Sequence, residues 1–275
     1  MIKDILVNLS TGPNRDVAAD YAVSVAMVLQ THLTGVAFAY EVAVPETVFA
    51  GVSASLVAAH RAETKKAAAA AAEKFEKSAH SASLSAESRV IAASFEGSAD
   101  IFSHLARRFD LSIVKQSEPE RAGADHIIEA ALFGSGRPVL VVPYIQKEGL
   151  KLNRALLCWD GSRSAARTFA DAMPLLARSS NIDVITIATK GVNQGEISGA
   201  DIAHHLARHQ LKIDLKRIVA PDMDVTSTIL SHAADISADL IVMGGYGHSR
   251  LREFVLGGAT RGMLASMTVP TFMSH

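Results

Sequence analysis

Residues 5–40 and 155–188 of this chain carry one pattern twice: an apolar run, a polar turn, a helix-length amphipathic stretch and a second apolar run. Ile5-Leu6-Val7-Asn8-Leu9 leads into Ser10-Thr11-Gly12-Pro13-Asn14 and a helical pattern to about Gln30. Ala155-Leu156-Leu157-Cys158-Trp159 leads into Asp160-Gly161-Ser162-Arg163-Ser164 and a helical pattern to about Arg178. The second apolar runs are Leu33 to Tyr40 and Ile182 to Ala188. The halves also end alike, with Phe109 to Val114 matching Ala238 to Met243, and Arg137 to Pro143 matching Val269 to Met273. Starts lie about 150 residues apart and ends about 130, so the first copy carries roughly 20 extra residues. These are expected in the helical stretch Ala54 to Ser83, whose segment Lys65 to Lys74 is rich in strong helix formers.

Short continuous apolar runs suit strands buried on both faces, as in a parallel sheet covered by helices. The second copy reads as strand 155–159, helix 162–178, strand 182–188, helix 200–209, strand 214–219, helix 225–237, strand 240–244, helix 259–267 and strand 269–273. Five strands separated by four helices predict a doubly wound α/β domain. The chain is therefore expected to hold two tandem domains, 1–146 and 152–275, each a five-stranded parallel sheet flanked by helices. The polar stretch Gln146 to Asn153 is the expected linker.

Composition narrows the function classes. With 27 Lys+Arg against 28 Asp+Glu, the net charge is −1, and no global basic field exists to hold a nucleic-acid backbone. One cysteine, Cys158, excludes a disulfide framework and a thiolate-based structural zinc site. The mean hydropathy of +0.21 comes largely from alanine and valine, and no run approaches the ~18 apolar residues of a spanning helix. Met1-Ile2-Lys3-Asp4-Ile5 enters a strand-like run with no signal-peptide pattern, so a cytoplasmic protein without membrane or nucleic-acid partners is expected.

In open α/β sheets, ligands bind beyond the carboxyl ends of the strands, where strand order reverses. After the fourth strand of the second copy comes Met243-Gly244-Gly245-Tyr246-Gly247-His248-Ser249-Arg250, and further on Leu256-Gly257-Gly258-Ala259-Thr260 opens a helix. Glycine removes the side chain where a loop turns or a ligand approaches backbone. A helix start presents unpaired N–H groups and the positive end of its dipole, which suit phosphate.

Gly244-x2-Gly247-x9-Gly257 resembles the nucleotide-binding signature of the universal stress protein family, G-x2-G-x9-G-[S/T]. Asp239 to Gly244 before it, Arg250-Leu251-Arg252 within it, Val269-Pro270 after it and the Asp160-Gly161-Ser162 loop extend the resemblance. It implies an adenine-nucleotide alpha-hydrolase-like fold and a stress-response protein with ATP, or AMP or ADP, as a regulatory ligand. Mg or Mn would enter only with the nucleotide. Carried over by residue, Asp160 is the adenosine-side group, with Cys158 and Ile187 beside it. Met243 and Gly244 border the adenosine, and Gly247, Gly257, Gly258, Ala259 and Thr260 the phosphates. The resemblance also implies a homodimer and no catalytic residues.

One departure bears on affinity. The position after Gly257, usually Ser or Thr, is Gly258. A hydroxyl bonded to phosphate is worth about 1.5–3 kcal/mol, so its loss weakens binding by roughly 10- to 100-fold. That departure keeps a second reading open, a dimerisation or partner-interaction module without nucleotide; a slow ATPase is the third. In the first copy Ser10 stands where the second has Asp160. Its Lys115 to Gly123 loop lacks the glycine triplet and carries Glu118 and Glu120, which repel phosphate. One nucleotide site per chain is expected.

Other signals have plainer readings. His205 and His209, at i and i+4 with His204 beside them, share a helix face that suits a metal. No third ligand is placed by the sequence, and a solvated face is the expectation. His248, Arg250, Arg252 and Arg261 lie near the presumed phosphate site. Cys158 is expected to be a buried, unreactive thiol. No G-x4-G-K-[S/T], G-x-S-x-G or H-E-x-x-H occurs, and no nucleophile, base and orienting residue group together.

Overall fold

The computed structural model describes residues 1–12, 14–41, 54–118, 125–188, 199–219, 224–245 and 258–275, without the side chains of 54 and 199. The chain divides into two compact units: Met1–Lys115 with Gly123–Arg137, and Gln116–Ala122 with Pro138–His275. Among the described residues, no helix is long and apolar enough to cross a membrane.

The first unit runs β1 (Asp4–Leu9), α1 (Val17–Leu29), β2 (His32–Tyr40), α2 (Ala54–Ser81), β3 (Ala86–Ala93), α3 (Phe95–Ala106), β4 (Leu111–Lys115) and α4 (His126–Glu129), which runs on into a π-helical turn, Ala130–Gly134. Its strands lie in the order β3-β2-β1-β4, all parallel, with Ile5 opposite both Leu33 and Leu111. Ile5, Leu6 and Val7 are fully buried, as expected of a strand covered on both faces. The extra length of the first copy is α2, which packs Ala68, Ala72, Phe75 and Ala79 inward. Gly35 on β2 is required there, since a Cβ would stand 2.7 Å from the Phe75 ring and 2.8 Å from Leu9.

The second unit begins with β5 (Val139–Val142). It continues as β6 (Arg154–Cys158), α5 (Arg163–Leu176), β7 (Asn181–Ala188), α6 (Gly199–Arg208), β8 (Ile213–Val219), α7 (Val225–Asp235), β9 (Leu240–Gly244), α8 (Gly258–Ser266) and β10 (Thr271–Ser274). Strand order is β5-β10-β9-β6-β7-β8; all neighbours are parallel except β5 and β10, which are antiparallel with Leu140 opposite Phe272. The fold class is thus α/β with mostly parallel sheets flanked by helices, and the last strands of the two copies pair with each other. The last strand starts two residues later than its apolar run, because Pro270 has no N–H for the ladder, though its carbonyl still accepts from Ile241 at 2.9 Å.

Helix starts follow their capping residues. Asp16, Ser94, Ser162 and Asp224 each accept a backbone N–H three residues on, at 3.0–3.1 Å. Helix ends depart from habit: Gln30, Ser83, Gln210 and Ser237 take the left-handed conformation that glycine usually supplies after a helix. In β7, the buried Asp183 carboxylate is offset by Arg154 at 3.5 Å and Lys216 at 3.9 Å, one from each neighbouring strand.

Candidate functional site

Strand order reverses between β9 and β6 in the second unit, and in open α/β sheets ligands bind outside the carboxyl ends of the strands at such a switch point. Cys158 ends β6 opposite Met243 on β9 and Ile185 on β7. Ile187 lies two residues further along β7 and is half-buried. Met243 is buried, and Cys158 is enclosed enough that burial, then the Asp160 charge, push its thiol far above its ordinary range. It stays a neutral thiol, as expected.

Asp160 is exposed just past the end of β6. Its Oδ1 accepts the Ser162 N–H at 2.9 Å, and Gly161 takes φ +76°, so the chain turns tightly into α5. Ser162 caps that helix through the Ala165 N–H and bonds the Ser164 hydroxyl at 3.0 Å. Gly244 ends the neighbouring strand β9. A Cβ there would stand 2.7 Å from the Ala165 nitrogen and 2.8 Å from Ser164 Oγ. The glycine is therefore fixed by close packing of β9 against the first turn of α5, a constraint not visible in the motif.

The phosphate side of the sequence reading falls on the start of α8. Gly258 is exposed and, among the described residues, nothing lies within 4 Å of where its Cβ would be. Ala259 is half-buried and Thr260 buried. The helix is anchored by the Thr226 hydroxyl, which donates to the Ala259 carbonyl at 3.2 Å, and Gly262 makes room for that side chain, its Cβ position 2.6 Å from Thr226 Oγ1. Gly247, Gly257, His248, Arg250 and Arg252 lie outside the described residues; Arg261 is exposed on α8. Asp160, Cys158, Met243 and Gly244 thus lie at or just past the carboxyl ends of the adjacent strands β6 and β9, and Gly258 to Thr260 form the first turn of α8.

Two residues of the first copy hold polar positions that sequence reasoning missed. Gln116, 1% exposed, is a strut inside the second unit. Its Nε2 donates to the Leu264 carbonyl in the last turns of α8 at 2.8 Å, and its Oε1 accepts from the Tyr144 N–H at 3.3 Å. A buried glutamine among apolar strand ends was the available signal, but its partner is 148 residues away. Gln116→Leu leaves the buried Leu264 carbonyl and the part-buried Tyr144 N–H without this partner and is expected to cost about 1–3 kcal/mol, read as a lower urea midpoint at unchanged slope.

The second is Asp16. Its carboxylate is 8% exposed and accepts the Ser10 N–H at 2.7 Å and the Ala19 N–H at 3.1 Å. Burial raises its pKa, opposed by those two N–H groups and by the Lys115 charge. In the first unit, the backbone donors after β1 and at the start of α1 are thus taken by the chain's own carboxylate.

Comparison with known proteins bears on the family and the fold. The sequence model of the universal stress protein family matches residues 151–275. Universal stress protein Slr1230 of Synechocystis sp. is 25% identical over 178 residues, which cover 62% of this chain and 60% of that protein, less than two thirds of its length. A universal stress protein structure from Archaeoglobus fulgidus DSM 4304 superposes with a TM-score of 0.72 at 14% identity, covering 98% of this chain and 97% of that one. A structure from Pseudomonas aeruginosa UCBPP-PA14, also described as a universal stress protein, gives 0.65 at 14% identity, covering 99% and 93%. At these identities the two structures show a shared fold across both halves.

Proposed function

Because residues 151–275 of this chain belong to the universal stress protein family, we propose that they bind ATP, or a related adenine nucleotide, as a regulatory ligand at the β6–β9 switch point. Asp160, with Cys158 and Ile187 nearby, serves the adenosine side, where Met243 and Gly244 form the border. The backbone N–H groups of Gly247 and Gly257 to Thr260 serve the phosphates. The same reading makes 152–275 the ligand-bearing domain and 1–146 a degenerate copy, with two chains associating as a homodimer.

The observation that carries this reading is the pairing of an exposed carboxylate at the switch point with a helix start. Asp160 stands just past the end of β6, and among the described residues no atom lies within 4 Å of where a Gly258 Cβ would be, at the first turn of α8. The donors fit a phosphate: a helix start offers unpaired N–H groups and the positive dipole end. With the net charge at −1, attraction must come from those local groups and nearby arginines. Protein purified in native form is expected to release one adenine nucleotide per chain on denaturation, and millimolar ATP is expected to raise the melting temperature of the stripped protein. A nucleotide-free preparation with no thermal shift refutes the reading.

Gly258 also favours the rival reading, an interaction module without nucleotide, because it lacks the hydroxyl of the family signature. Since a Cβ fits there, Gly258→Ser is expected to tighten ATP binding roughly 10- to 100-fold by calorimetry. Unchanged affinity in a folded variant places the phosphates elsewhere.

A further inference from the structure

The aromatic cluster on α5 and α6 carries an inference independent of the nucleotide reading. His205 in α6 and His209 just after it are exposed, and their ring centroids lie 5.0 Å apart at 69° between planes. Both rings meet the buried Phe169 of α5 edge-on, with centroids at 5.6 and 6.4 Å. That contact ties the two imidazoles to one side of the helix.

Zinc–nitrogen bonds of about 2.0–2.1 Å put each imidazole centroid about 3.2 Å from the metal, and tetrahedral geometry then sets two such centroids about 5 Å apart. The observed centroid spacing of 5.0 Å matches that geometry. We propose that His205 and His209 form a two-histidine site for a borderline divalent transition-metal ion, zinc or copper, whose remaining positions are completed by water. Imidazole suits both ions. Among the described residues no cluster of three or more His, Cys, Asp or Glu side chains could hold a metal, which is why solvent completes the set. Helix spacing alone brings side chains at i and i+4 together, and the shared contact with Phe169 holds these two rings on the same side of it.

The test uses untagged, full-length protein stripped with a chelator and titrated with zinc against a chromophoric competitor. One zinc per chain is expected. His205→Ala and His209→Ala are each expected to weaken binding at least tenfold, and His209→Cys to retain it, because thiolate also ligates zinc. His204→Ala, one residue off the shared face, is expected to bind as the parent does. Copper(II) is expected to show two equivalent nitrogens in electron paramagnetic resonance, reduced to one in either alanine variant. Circular dichroism of each variant separates ligand loss from unfolding; both histidines are exposed, so folding is expected to survive. No zinc binding, binding unchanged in both alanine variants, or equal loss in His204→Ala overturns the site.

Discussion

Gly244→Ala is expected to destabilise the second unit by about 1–3 kcal/mol, enough to lower its urea midpoint below that of the parent. The added methyl stands 2.7 Å from the Ala165 nitrogen and 2.8 Å from Ser164 Oγ. The nearer obstacle is backbone in the first turn of α5, so no rotamer change relieves it. Either β9 retreats from β6, breaking the Cys158–Met243 register, or α5 shifts on the sheet. Overpacking of this kind typically costs 1–3 kcal/mol, occasionally more. Gly258→Ala is the control. Among the described residues its Cβ meets nothing within 4 Å, so the change is expected to be neutral or to stabilise by about 0.4–1 kcal/mol through the unfolded chain. Equal effects from the two glycines would falsify the packing account of Gly244.

Asp160→Ala is expected to abolish the release of adenine nucleotide from natively purified protein and to remove the ATP-induced thermal shift. Two losses combine. The carboxylate is gone from the switch point, and a hydrogen bond to a charged group is worth about 1.5–3 kcal/mol, or roughly 10- to 100-fold in affinity. The turn is lost as well, since Oδ1 holds the Ser162 N–H at 2.9 Å just before the α5 cap. Asp160→Asn separates the effects. The amide oxygen keeps the turn while the charge is gone, so intermediate binding assigns the difference between the variants to the turn. Parent-like ATP binding in a folded Asp160→Ala protein sinks the assignment of this residue.

Much of the architecture was legible because parallel strands advertise themselves. Ile5-Leu6-Val7 and Leu240-Ile241-Val242 read as continuous apolar runs because neighbouring strands and covering helices leave them no solvent face. The extra helix of the first copy was legible from its run of strong helix formers. The pairing of β5 with β10 was not, because an apolar run of four residues states that a strand is buried and not which strand lies beside it. Gln116 and Asp16 were missed for a related reason. Each is polar and buried, and what satisfies it is a backbone group fixed by the fold, at Leu264 in one case and at Ser10 and Ala19 in the other.

The sequence alone determined the doubling of one α/β unit, the order of its elements and the resemblance of its second half to the universal stress protein family. These are local patterns of burial and turn chemistry, written residue by residue along the chain. Only the tertiary structure decided why Gly244 is a glycine, what occupies the donors after β1, and that the His205 and His209 rings meet against Phe169 with centroids 5.0 Å apart. Those facts depend on gaps of a few ångströms between elements distant in sequence or on how side chains rest against a neighbour. Such gaps are set by packing, which periodicity does not encode.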